Sequence, residues 1–537
     1  MKFLTAILLS LLIIKSVNAQ LQAEWSNTYN GTGGIYDHSV DFTIDTFNNT
    51  IVVSRSFDSA SSSYNAVLIK YDAGGQQLWT TTYSNTLYKN ETPYNVVTDA
   101  AGNIYLFGVA SDSAFVFKHH PSGNIIWEKH FKYGDAYIGY ASRMIISDQG
   151  NLFFSGWKGD SFSTDSLFIS KVDLDGALMW RRSIPSEYFC LEYTWEMKTD
   201  LEENVYLAGI TNYYYNPFYP PTFSGGDAFV LKVQNNGTFA WKKIFDSGDS
   251  SYETSISMVI DEQKNIYISA HKQKSNYSDL LLVKYDQFGL LLWVDSLEGG
   301  SQSFDTENDL LVLHHDKIFL MGNSPGLNGI TNVLNASYDL NGNLLWTQVH
   351  VPDTVLGLSA SGGSNLLFGS DGLLYTLIVD RYNWNDKTKT LFEVRDTAGA
   401  LISIYPLILF FPDTIGPRGF KKDFDGNIVI YGVTDGPNNC SDIITCKLSL
   451  ATGIQNLNRR GERWMLFPNP ATSQFTISFP ATTQHHLIIT NLLGEVMSDQ
   501  TVYGNEMTVD VASLSTGVYL AVVKNDIGTV VKKFVKD

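Results

Sequence analysis

The side chains best suited to metal binding or acid–base chemistry stand in adjacent histidine pairs. These pairs are His119-His120, His314-His315 and His485-His486. Neighbouring residues on a β-strand point to opposite faces of the sheet, so a single pair does not clamp a metal ion. We therefore predict no metal site and no cofactor from these histidines.

Two acidic segments, Asp173-Leu-Asp-Gly176 and Asp423-Phe-Asp-Gly-Asn427, resemble part of a calcium-binding loop. Both stand where the repeat described below requires hairpin turns, which favours a structural role for their carboxylates. The sequence has no His-Glu-x-x-His zinc motif and no phosphate-binding loop. A pair of glycosidase carboxylates stays open, because a ring-shaped fold brings distant residues together at its axis.

The densest group of candidate binding residues is the segment Asn212-Tyr-Tyr-Tyr-Asn-Pro-Phe-Tyr-Pro-Pro-Thr-Phe223. Aromatic rings with little conformational freedom suit the faces of sugars or the side chains of peptides. The candidate ligand-binding residues are Tyr213, Tyr214, Tyr215, Phe218, Tyr219 and Phe223. The alternative is that the segment folds over its own part of the scaffold and buries these rings locally.

The elements that must position these residues come from a repeat. A glycine stands four residues before a tryptophan, and successive copies lie about 50 to 60 residues apart, a period typical of propeller blades. The copies are Gly75/Trp79, Gly123/Trp127, Gly176/Trp180, Gly237/Trp241, Gly289/Trp293 and Gly342/Trp346, and a further copy, Gly399 to Ser403, has no tryptophan. Upstream halves of the repeat start at Asp45, Asp99, Asp148, Asp200, Asp261, Asp316, Asp371 and Asp423.

Each half reads as a hairpin, because Asp, Asn and Gly form tight turns and the flanking residues are rich in Val, Ile, Tyr and Phe. Two hairpins make a four-stranded blade, so the sequence predicts an all-β fold with a β-propeller. The segment Leu21-Gln-Ala-Glu-Trp25 matches the outer strand and should complete the last blade. This count favours eight blades, and seven if the unit at Asp316 or Asp371 does not form one.

The repeat resembles known β-propeller families, and its Asp-x-x-Gly-x-x-x-Trp phrase resembles the tryptophan-docking motif of the eight-bladed quinoprotein dehydrogenases. The tryptophans Trp25, Trp79, Trp127, Trp180, Trp241, Trp293 and Trp346 are accordingly interpreted as structural. Those enzymes carry a vicinal cysteine pair beside the cofactor, whereas Cys190, Cys440 and Cys446 are not adjacent. The resemblance therefore implies the scaffold and not the quinone chemistry.

The three cysteines are expected to be free thiols. If the chain between Cys440 and Cys446 is extended, their Cα atoms lie roughly 20 Å apart, too far for a disulfide.

Charge and loop lengths narrow the class of partner. The net charge is −18, which repels phosphate backbones and argues against a nucleic-acid partner. The first–second and third–fourth turns of each blade are uniformly short. The loops on the opposite face vary in length, within 55–65, 158–165, 211–227, 272–279, 323–332, 380–388 and 434–442. Variable loops on a rigid scaffold carry function, so we predict a single working face.

The two ends of the chain suggest an export route. Residues 1–19 have the charge, apolar run and small-residue cleavage site of a signal peptide, and no other stretch is long and apolar enough to span a membrane. We assign 20–452 to the propeller, 453–463 to a linker and 464–537 to a C-terminal domain.

The C-terminal domain resembles the type A sorting domain of the type IX secretion system, found in Bacteroidota. The matching positions are Pro468, Asn469, Pro470, Gly494, Gly517, Tyr519, Lys532 and Lys533. The resemblance implies a small β-sandwich, recognition by the outer-membrane translocon, and a final location at the cell surface or in the medium.

The function expected from these features is a non-catalytic binding module for a glycan, a peptide or a protein. A hydrolase or lyase with its site at the propeller axis is one alternative. A structural or adhesive surface component without a small ligand is the other.

Overall fold

The computed structural model describes most of the chain. The described residues are 20–31, 37–58, 63–83, 92–110, 113–133, 137–159, 166–185, 191–216, 222–224, 226–248, 251–274, 277–297, 310–325, 331–351, 358–369, 371–382, 388–407, 416–435, 441–451, 465–467, 471–491, 496–525 and 528–536. These residues form strands and turns, and none of them belongs to a helix that could cross a bilayer. The signal-peptide segment 1–19 lies outside the described residues.

Eight antiparallel blades of four strands follow one another along the chain, which confirms the predicted eight-bladed propeller. The first four blades are β2 (Asp37–Ile44), β3 (Thr50–Asp58), β4 (Ser63–Tyr71), β5 (Gln77–Tyr83); β6 (Thr92–Thr98), β7 (Ile104–Ala110), β8 (Ser113–His119), β9 (Ile125–Lys132); β10 (Tyr137–Ile146), β11 (Asn151–Gly159), β12 (Ser166–Asp173), β13 (Leu178–Pro185); and β14 (Leu191–Thr199), β15 (Val205–Asn216), β17 (Asp227–Val233), β18 (Phe239–Phe245). The short strand β16 (Thr222–Ser224) pairs with the end of β15 outside the fourth blade.

The last four blades include the two degenerate repeats. They are β19 (Tyr252–Ile260), β20 (Ile266–Lys274), β21 (Tyr277–Tyr285), β22 (Leu291–Leu297); β23 (Leu310–His314), β24 (Lys317–Pro325), β25 (Thr331–Asp339), β26 (Leu344–His350); β27 (Leu358–Phe368), β28 (Leu374–Tyr382), β29 (Thr388–Arg395), β30 (Leu401–Pro406); and β31 (Gly416–Lys422), β32 (Ile428–Asp435), β33 (Ser441–Ala451) with β1 (Gln20–Tyr29). Both degenerate units form complete blades, so the seven-bladed alternative is wrong.

The N-terminal strand closes the ring. Strand β1 pairs with β33, so the eighth blade takes three strands from one end of the chain and its fourth from the other. This closure removes two sheet edges that would otherwise be exposed.

Aspartate side chains stabilise the turns between the first and second strands of several blades. Asp99 Oδ1 accepts hydrogen bonds from the backbone N–H groups of Ala101 and Asn103, at 3.0 and 2.9 Å. Its Oδ2 accepts from the Asn103 side chain and the Tyr105 hydroxyl, at 2.8 and 3.1 Å. The Asp200 and Asp261 turns repeat this arrangement with Tyr206 and Tyr267.

Three turns depart from the register that the sequence suggested. In the third blade the turn starts at Ser147 rather than Asp148, and the Ser147 hydroxyl donates to Glu203 of the fourth blade. In the sixth blade His314 pairs with Lys317, so the turn has only two residues. In the seventh blade the turn starts at Gly369, two residues before Asp371.

Every repeat tryptophan packs on a glycine in the third–fourth turn of the next blade. A Cβ atom on that glycine would lie between 2.4 Å (at Gly75) and 3.2 Å (at Gly176) from the indole. The pairs are Trp25–Gly75, Trp79–Gly123, Trp127–Gly176, Trp180–Gly237, Trp241–Gly289, Trp293–Gly342 and Trp346–Gly399. In six of the pairs the indole Nε1 also donates to a carbonyl of that turn, and only Trp293 Nε1 has no acceptor.

This docking explains why the seventh blade has Ser403 in place of a tryptophan. The third and fourth strands of the eighth blade, β33 and β1, come from opposite ends of the chain. No third–fourth turn joins them, so no turn glycine is present for a tryptophan of the seventh blade to pack against. The absence of a tryptophan at Ser403 therefore follows from the way in which the N-terminal strand closes the ring.

The hydrophobic core lies between blades. Every residue of β7 and β8 is buried, as expected for middle strands covered on both faces. Tyr105 and Phe107 of the second blade pack in one cluster with Phe154 and Phe168 of the third. Each blade therefore buries its apolar faces against its neighbours.

The residues from Leu450 onward belong to a second compact unit, separate from Gln22–Ser449. Its strands are β34 (Met465–Phe467), β35 (Gln474–Asn491), β36 (Val496–Asp510), β37 (Gly517–Asn525) and β38 (Gly528–Lys536), in one five-stranded sheet. The pairing of β35 with β36 breaks between Ser478 and Thr483. Residues on both sides of this break, including Phe475 and Leu487, share one core. The β-sandwich itself stays a prediction.

The single cysteine among the described residues is a buried free thiol. Cys446 lies within β33 opposite Ile430, and its burial raises the pKa of the thiol. Cys190 and Cys440 lie outside the described residues.

Gly237→Ala should destabilise the propeller more than Gly426→Ala. Both glycines have positive φ, 82° and 85°, and an L-residue in that region costs about 1–2 kcal/mol. A Cβ at Gly237 would lie 2.9 Å from Trp180, whereas a Cβ at Gly426 would meet nothing within 4 Å. We expect Gly237→Ala to cost a further ~1–3 kcal/mol from overpacking, measured by denaturant unfolding. Equal destabilisation of the two variants would contradict the docking role.

Deleting Gln20–Tyr29 should lower the melting temperature and promote aggregation, because it exposes the edge of β33 and removes the Trp25 contact on Gly75. Thermal unfolding and size-exclusion chromatography measure both effects. A monodisperse deletion variant that melts like the full protein would show that closure does not depend on β1.

Candidate functional site

The aromatic segment forms a hairpin that extends the fourth blade on the face with the variable loops, hereafter the variable-loop face. Strand β15 continues past its last pairing with β17, at Thr211–Asp227, and its end pairs with β16 through Tyr214–Ser224, Tyr215–Phe223 and Asn216–Thr222. Tyr213 pairs with Leu191 of β14. Phe218 and Tyr219 lie outside the described residues. The four described candidates, Tyr213, Tyr214, Tyr215 and Phe223, therefore lie on this hairpin. The role of the six aromatics in binding stays a prediction.

The innermost strands carry a repeated irregularity that the sequence did not reveal. In seven blades, one extra residue bulges out of the pairing between the first and second strands. These residues are Val40, Tyr94, one of Ser142 and Arg143, Trp195, Ile256, Ser364 and Arg418. In the sixth blade, the residues before Leu310 at this level lie outside the described part of the chain.

Three of these bulge residues expose large or charged side chains at the propeller axis. Arg143 and Arg418 are exposed, and Trp195 exposes 36% of its surface. Trp195 stacks on Tyr193 with ring centroids 6.2 Å apart. The Nε group of Arg143 donates to the Trp195 carbonyl at 2.8 Å, which ties the guanidinium to the backbone of Trp195. We name Arg143, Trp195 and Arg418 the axial group.

Hydrogen bonds between adjacent inner strands hold this arrangement rigid. Asp41 of the first blade accepts from the Asn95 side chain and the Val96 N–H of the second, at 3.3 and 3.1 Å. Asn95 in turn accepts from the Met144 N–H of the third blade at 2.9 Å. The Ser142 hydroxyl donates to the Thr194 carbonyl of the fourth blade. This belt of polar contacts links the inner strands of the first four blades.

The electrostatics show that residues of three blades converge at the axis. Burial raises the pKa of the Tyr431 hydroxyl, and Asp41 of the first blade adds to this rise. Arg143 of the third blade and Arg418 of the eighth both lower it. Arg418 acts in the same way on His38, whose pKa is lowered by burial first, then by Arg55 and Arg418, against the opposing effect of Asp37.

The arginines of the axial group have no carboxylate partner among the described residues. Within the described residues, neither Arg143 nor Arg418 forms an ion pair, although the whole chain carries a net charge of −18. The neighbouring carboxylates are engaged elsewhere. Asp41 binds Asn95 and Val96, and Glu196 accepts from the Met197 N–H at 3.2 Å and lies 3.5 Å from Lys198. The described axial residues therefore offer cations rather than a glycosidase carboxylate pair.

The opposite face, which carries the tight turns, is occupied by scaffold contacts. An open groove of about 720 Å³ lies there between the third and fourth blades. Trp180 on its wall donates to the Asn235 carbonyl at 2.6 Å, and Lys171 forms a 2.6 Å ion pair with the buried Glu203. These groups hold neighbouring blades together.

The candidate calcium loop at Asp423 is likewise a structural turn. Asp423 Oδ1 accepts from the Asp425 and Asn427 N–H groups, at 3.0 and 2.7 Å. Its Oδ2 lies 2.7 Å from Lys447 Nζ. A lysine ammonium thus occupies the position beside this carboxylate. In the second candidate loop, Asp173 Oδ1 accepts from the Asp175 and Ala177 N–H groups.

The histidine pairs differ: the ring centroids of His314 and His315 lie 4.1 Å apart, whereas the two side chains of the first pair have separate partners. His119 is fully buried and hydrogen-bonds to Tyr83, whereas His120 lies at the start of a turn and hydrogen-bonds to Ser122 at 2.7 Å.

A further motif, Gly322-Asn-Ser-Pro-Gly326, has the Gly-x-Ser-x-Gly form of a hydrolase nucleophile elbow. Its serine pairs with Asn332 inside the antiparallel strands β24 and β25, which is not the strand-to-helix turn that an elbow requires.

The sorting-motif residues that are described lie on the last two strands. Gly517 and Tyr519 are on β37, and Lys532 and Lys533 are on β38. Tyr519 is buried, stacks on Phe534 at 5.7 Å and donates to the Ser515 carbonyl at 3.0 Å. The residues Pro468, Asn469, Pro470 and Gly494 lie outside the described residues.

Comparison with protein families identifies this C-terminal unit. Residues 465–537 match the secretion system C-terminal sorting domain. This segment is a sorting domain. The protein is accordingly delivered through the periplasm to the cell surface or the medium, and the sorting domain engages the secretion machinery.

Solved structures resemble the chain only at the level of fold. The WD40 domain of SCAP from fission yeast is 11% identical, with a TM-score of 0.44, over 81% of this chain and 99% of that one. Drosophila Plexin A in complex with Semaphorin 1b is 11% identical, with a TM-score of 0.38, over 80% and 88%.

PorZ, a surface component of the type IX secretion system of Porphyromonas gingivalis, is 10% identical, with a TM-score of 0.23, over 95% and 100%. No curated protein matches the sequence. Likenesses at these levels carry no argument about what this protein binds.

Proposed function

We propose that the protein is a non-catalytic binding module, displayed at or released from the cell surface, and that its axial group binds an acidic glycan. The observation that supports this proposal is that two exposed guanidinium groups, Arg143 and Arg418, have no carboxylate partner within the described part of an acidic chain. Guanidinium groups bind carboxylates and sulfates through two parallel hydrogen bonds.

The aromatic side of the site favours a sugar as the ligand. Trp195 is partly exposed and stacks on Tyr193, which holds its ring in place. A fixed indole face packs well on the apolar face of a pyranose ring. The hydrogen bond from Arg143 to the Trp195 carbonyl ties a cation to the backbone of the same residue. This combination suits a sugar that carries an acidic substituent.

A binding role also agrees with the carboxylates near the axis. Hydrolysis of a glycosidic bond requires two carboxyl groups on opposite sides of the scissile bond. Asp41 is engaged in bonds to Asn95, Val96 and the Phe42 N–H, so it serves the inter-blade belt. This engagement supports binding over hydrolysis.

We further propose the domain division 20–452, 453–463 and 464–537, with 1–19 as the signal peptide, and a type IX translocon as the partner of the sorting domain. In this arrangement the propeller is the exported domain and the C-terminal domain is the sorting signal that directs its transport.

Replacing Arg143 or Arg418 by Gln should weaken binding to acidic glycans. Each loss of a charge-assisted hydrogen-bond pair costs about 1.5–3 kcal/mol, or roughly 10- to 150-fold in Kd. A glycan array with uronate, sulfated, sialylated and neutral members identifies a ligand, and calorimetry on the wild type and both variants gives the ratio.

The matched control is Arg181→Gln, since Arg181 is exposed on an outer strand and donates to the Lys132 carbonyl. Binding that is confined to neutral glycans, or that is equally strong in all variants, would overturn the acidic-glycan assignment.

A chain that ends at Leu457 should fold but remain in the periplasm, because the propeller core contains no residue beyond Ser449. Residues 458–537 behind a signal peptide and an inert reporter should carry the reporter to the surface. Protease accessibility of intact cells compares the two. Surface exposure of the truncated chain at the full-length level would show that transport does not depend on the sorting domain.

A further inference from the structure

Three carboxylates from separate segments meet on the variable-loop face, between the fourth and fifth blades. Asp227 begins β17, Asp246 directly follows β18, and Glu253 lies near the start of β19. One carboxylate oxygen of each residue lies within 4.8 Å of the corresponding oxygens of the other two. Nearly thirty residues of chain separate the first from the last, so only the fold brings them together.

Glu253 carries a buried carboxylate oxygen that no described hydrogen-bond donor satisfies. Its side chain is fully buried. Its Oε1 accepts hydrogen bonds from the Ser247 and Ser251 hydroxyls, both at 2.6 Å. Its Oε2 is buried and has no hydrogen-bond partner. A buried carboxylate oxygen without a partner is costly, and metal coordination is one of the ways in which proteins stabilise it.

The backbone around the cluster holds the carboxylates in place. The Glu253 N–H donates to the Gly226 carbonyl at 2.8 Å, which ties β19 to the residue before Asp227. The Gly248 N–H donates to Asp246 Oδ1 at 2.7 Å and orients that carboxylate. Lys272 lies opposite Glu253 in the pairing of β19 with β20, and Glu253 Oε2 nonetheless has no hydrogen-bond partner.

We propose that Asp227, Asp246 and Glu253 bind a calcium ion. The donors are oxygen atoms only, which suits hard divalent cations and excludes the softer metals that prefer nitrogen or sulfur. Calcium accepts irregular sets of carboxylate and water oxygens, whereas magnesium demands near-octahedral geometry. Three carboxylates on a loop-rich edge therefore fit calcium better than magnesium.

The ion would join the fourth blade to the fifth at the base of the aromatic hairpin. Strand β16 of that hairpin ends at Ser224, three residues before Asp227. Asp227 thus connects the hairpin to the blade, and Glu253 belongs to the next blade. Bound calcium would fix both to the same point, so chelation should loosen this part of the rim without opening the ring.

Calorimetric titration of the full chain with calcium chloride tests the site directly. We expect one calcium ion per chain, with a Kd of about 10⁻⁴–10⁻³ M as in extracellular modules, and a lower melting temperature in excess chelator. Asp246→Asn and Glu253→Gln should each weaken binding at least tenfold. Asp246 is exposed, and its Asn variant can still accept the Gly248 hydrogen bond, so this variant should fold even if Glu253→Gln does not.

The control is Glu128→Gln, which removes one exposed carboxylate from an outer strand far from the cluster in sequence. It should bind calcium like the wild type. The proposal is overturned if the wild type shows no stoichiometric calcium binding at 10 mM, if Asp246→Asn binds as well as the wild type, or if magnesium binds more tightly than calcium.

Discussion

The ring depends on one contact, the packing of an indole on a glycine in the next blade. The tryptophan closes the fourth strand of its own blade, and the glycine shapes the third–fourth turn of its neighbour. The left-handed backbone at that turn and the absence of a Cβ are both needed, so only glycine serves. Because each repeat supplies one tryptophan and one glycine, the blades join head to tail. The seam between the seventh and eighth blades lacks both partners, as Ser403 shows.

A second repeated feature, the bulge in the inner strands, distinguishes residues that build the scaffold from residues that are free to vary. In seven of the eight blades, the inner strand has a residue that bulges out of its pairing with the second strand and faces the axis. A bulge residue makes no ladder contact that constrains its type. The positions can therefore hold Val40 in one blade and Arg418 in another without harm to the fold. The proposed binding site at the axis therefore uses residues that the propeller fold itself does not require.

The variable-loop face combines the axial group with a distinct rim. The aromatic hairpin extends from the fourth blade, and the carboxylates Asp227, Asp246 and Glu253 lie at its base. The opposite face presents tight turns whose polar groups hold blades together, for example Lys171 with Glu203. This asymmetry agrees with an exported protein that meets its ligand on one side, while the sorting domain is a separate unit with its own core.

The sequence by itself determined the fold and the destination of this protein. Turn residues and strand periodicity are local, so spacings such as that of Gly75 from Trp79 sufficed to predict the blades. The sequence favoured eight of them but left seven open, and the complete sixth and seventh blades decided between the two. The sorting motif is local as well. The tertiary structure alone decided the site, because the axial group and the carboxylate cluster unite residues that are distant in sequence. A bulge also leaves no trace in composition, since Arg143 and Trp195 fit an ordinary strand. The sequence could show that Ser403 had lost its tryptophan, but only the closed ring shows that this tryptophan would have no glycine to meet.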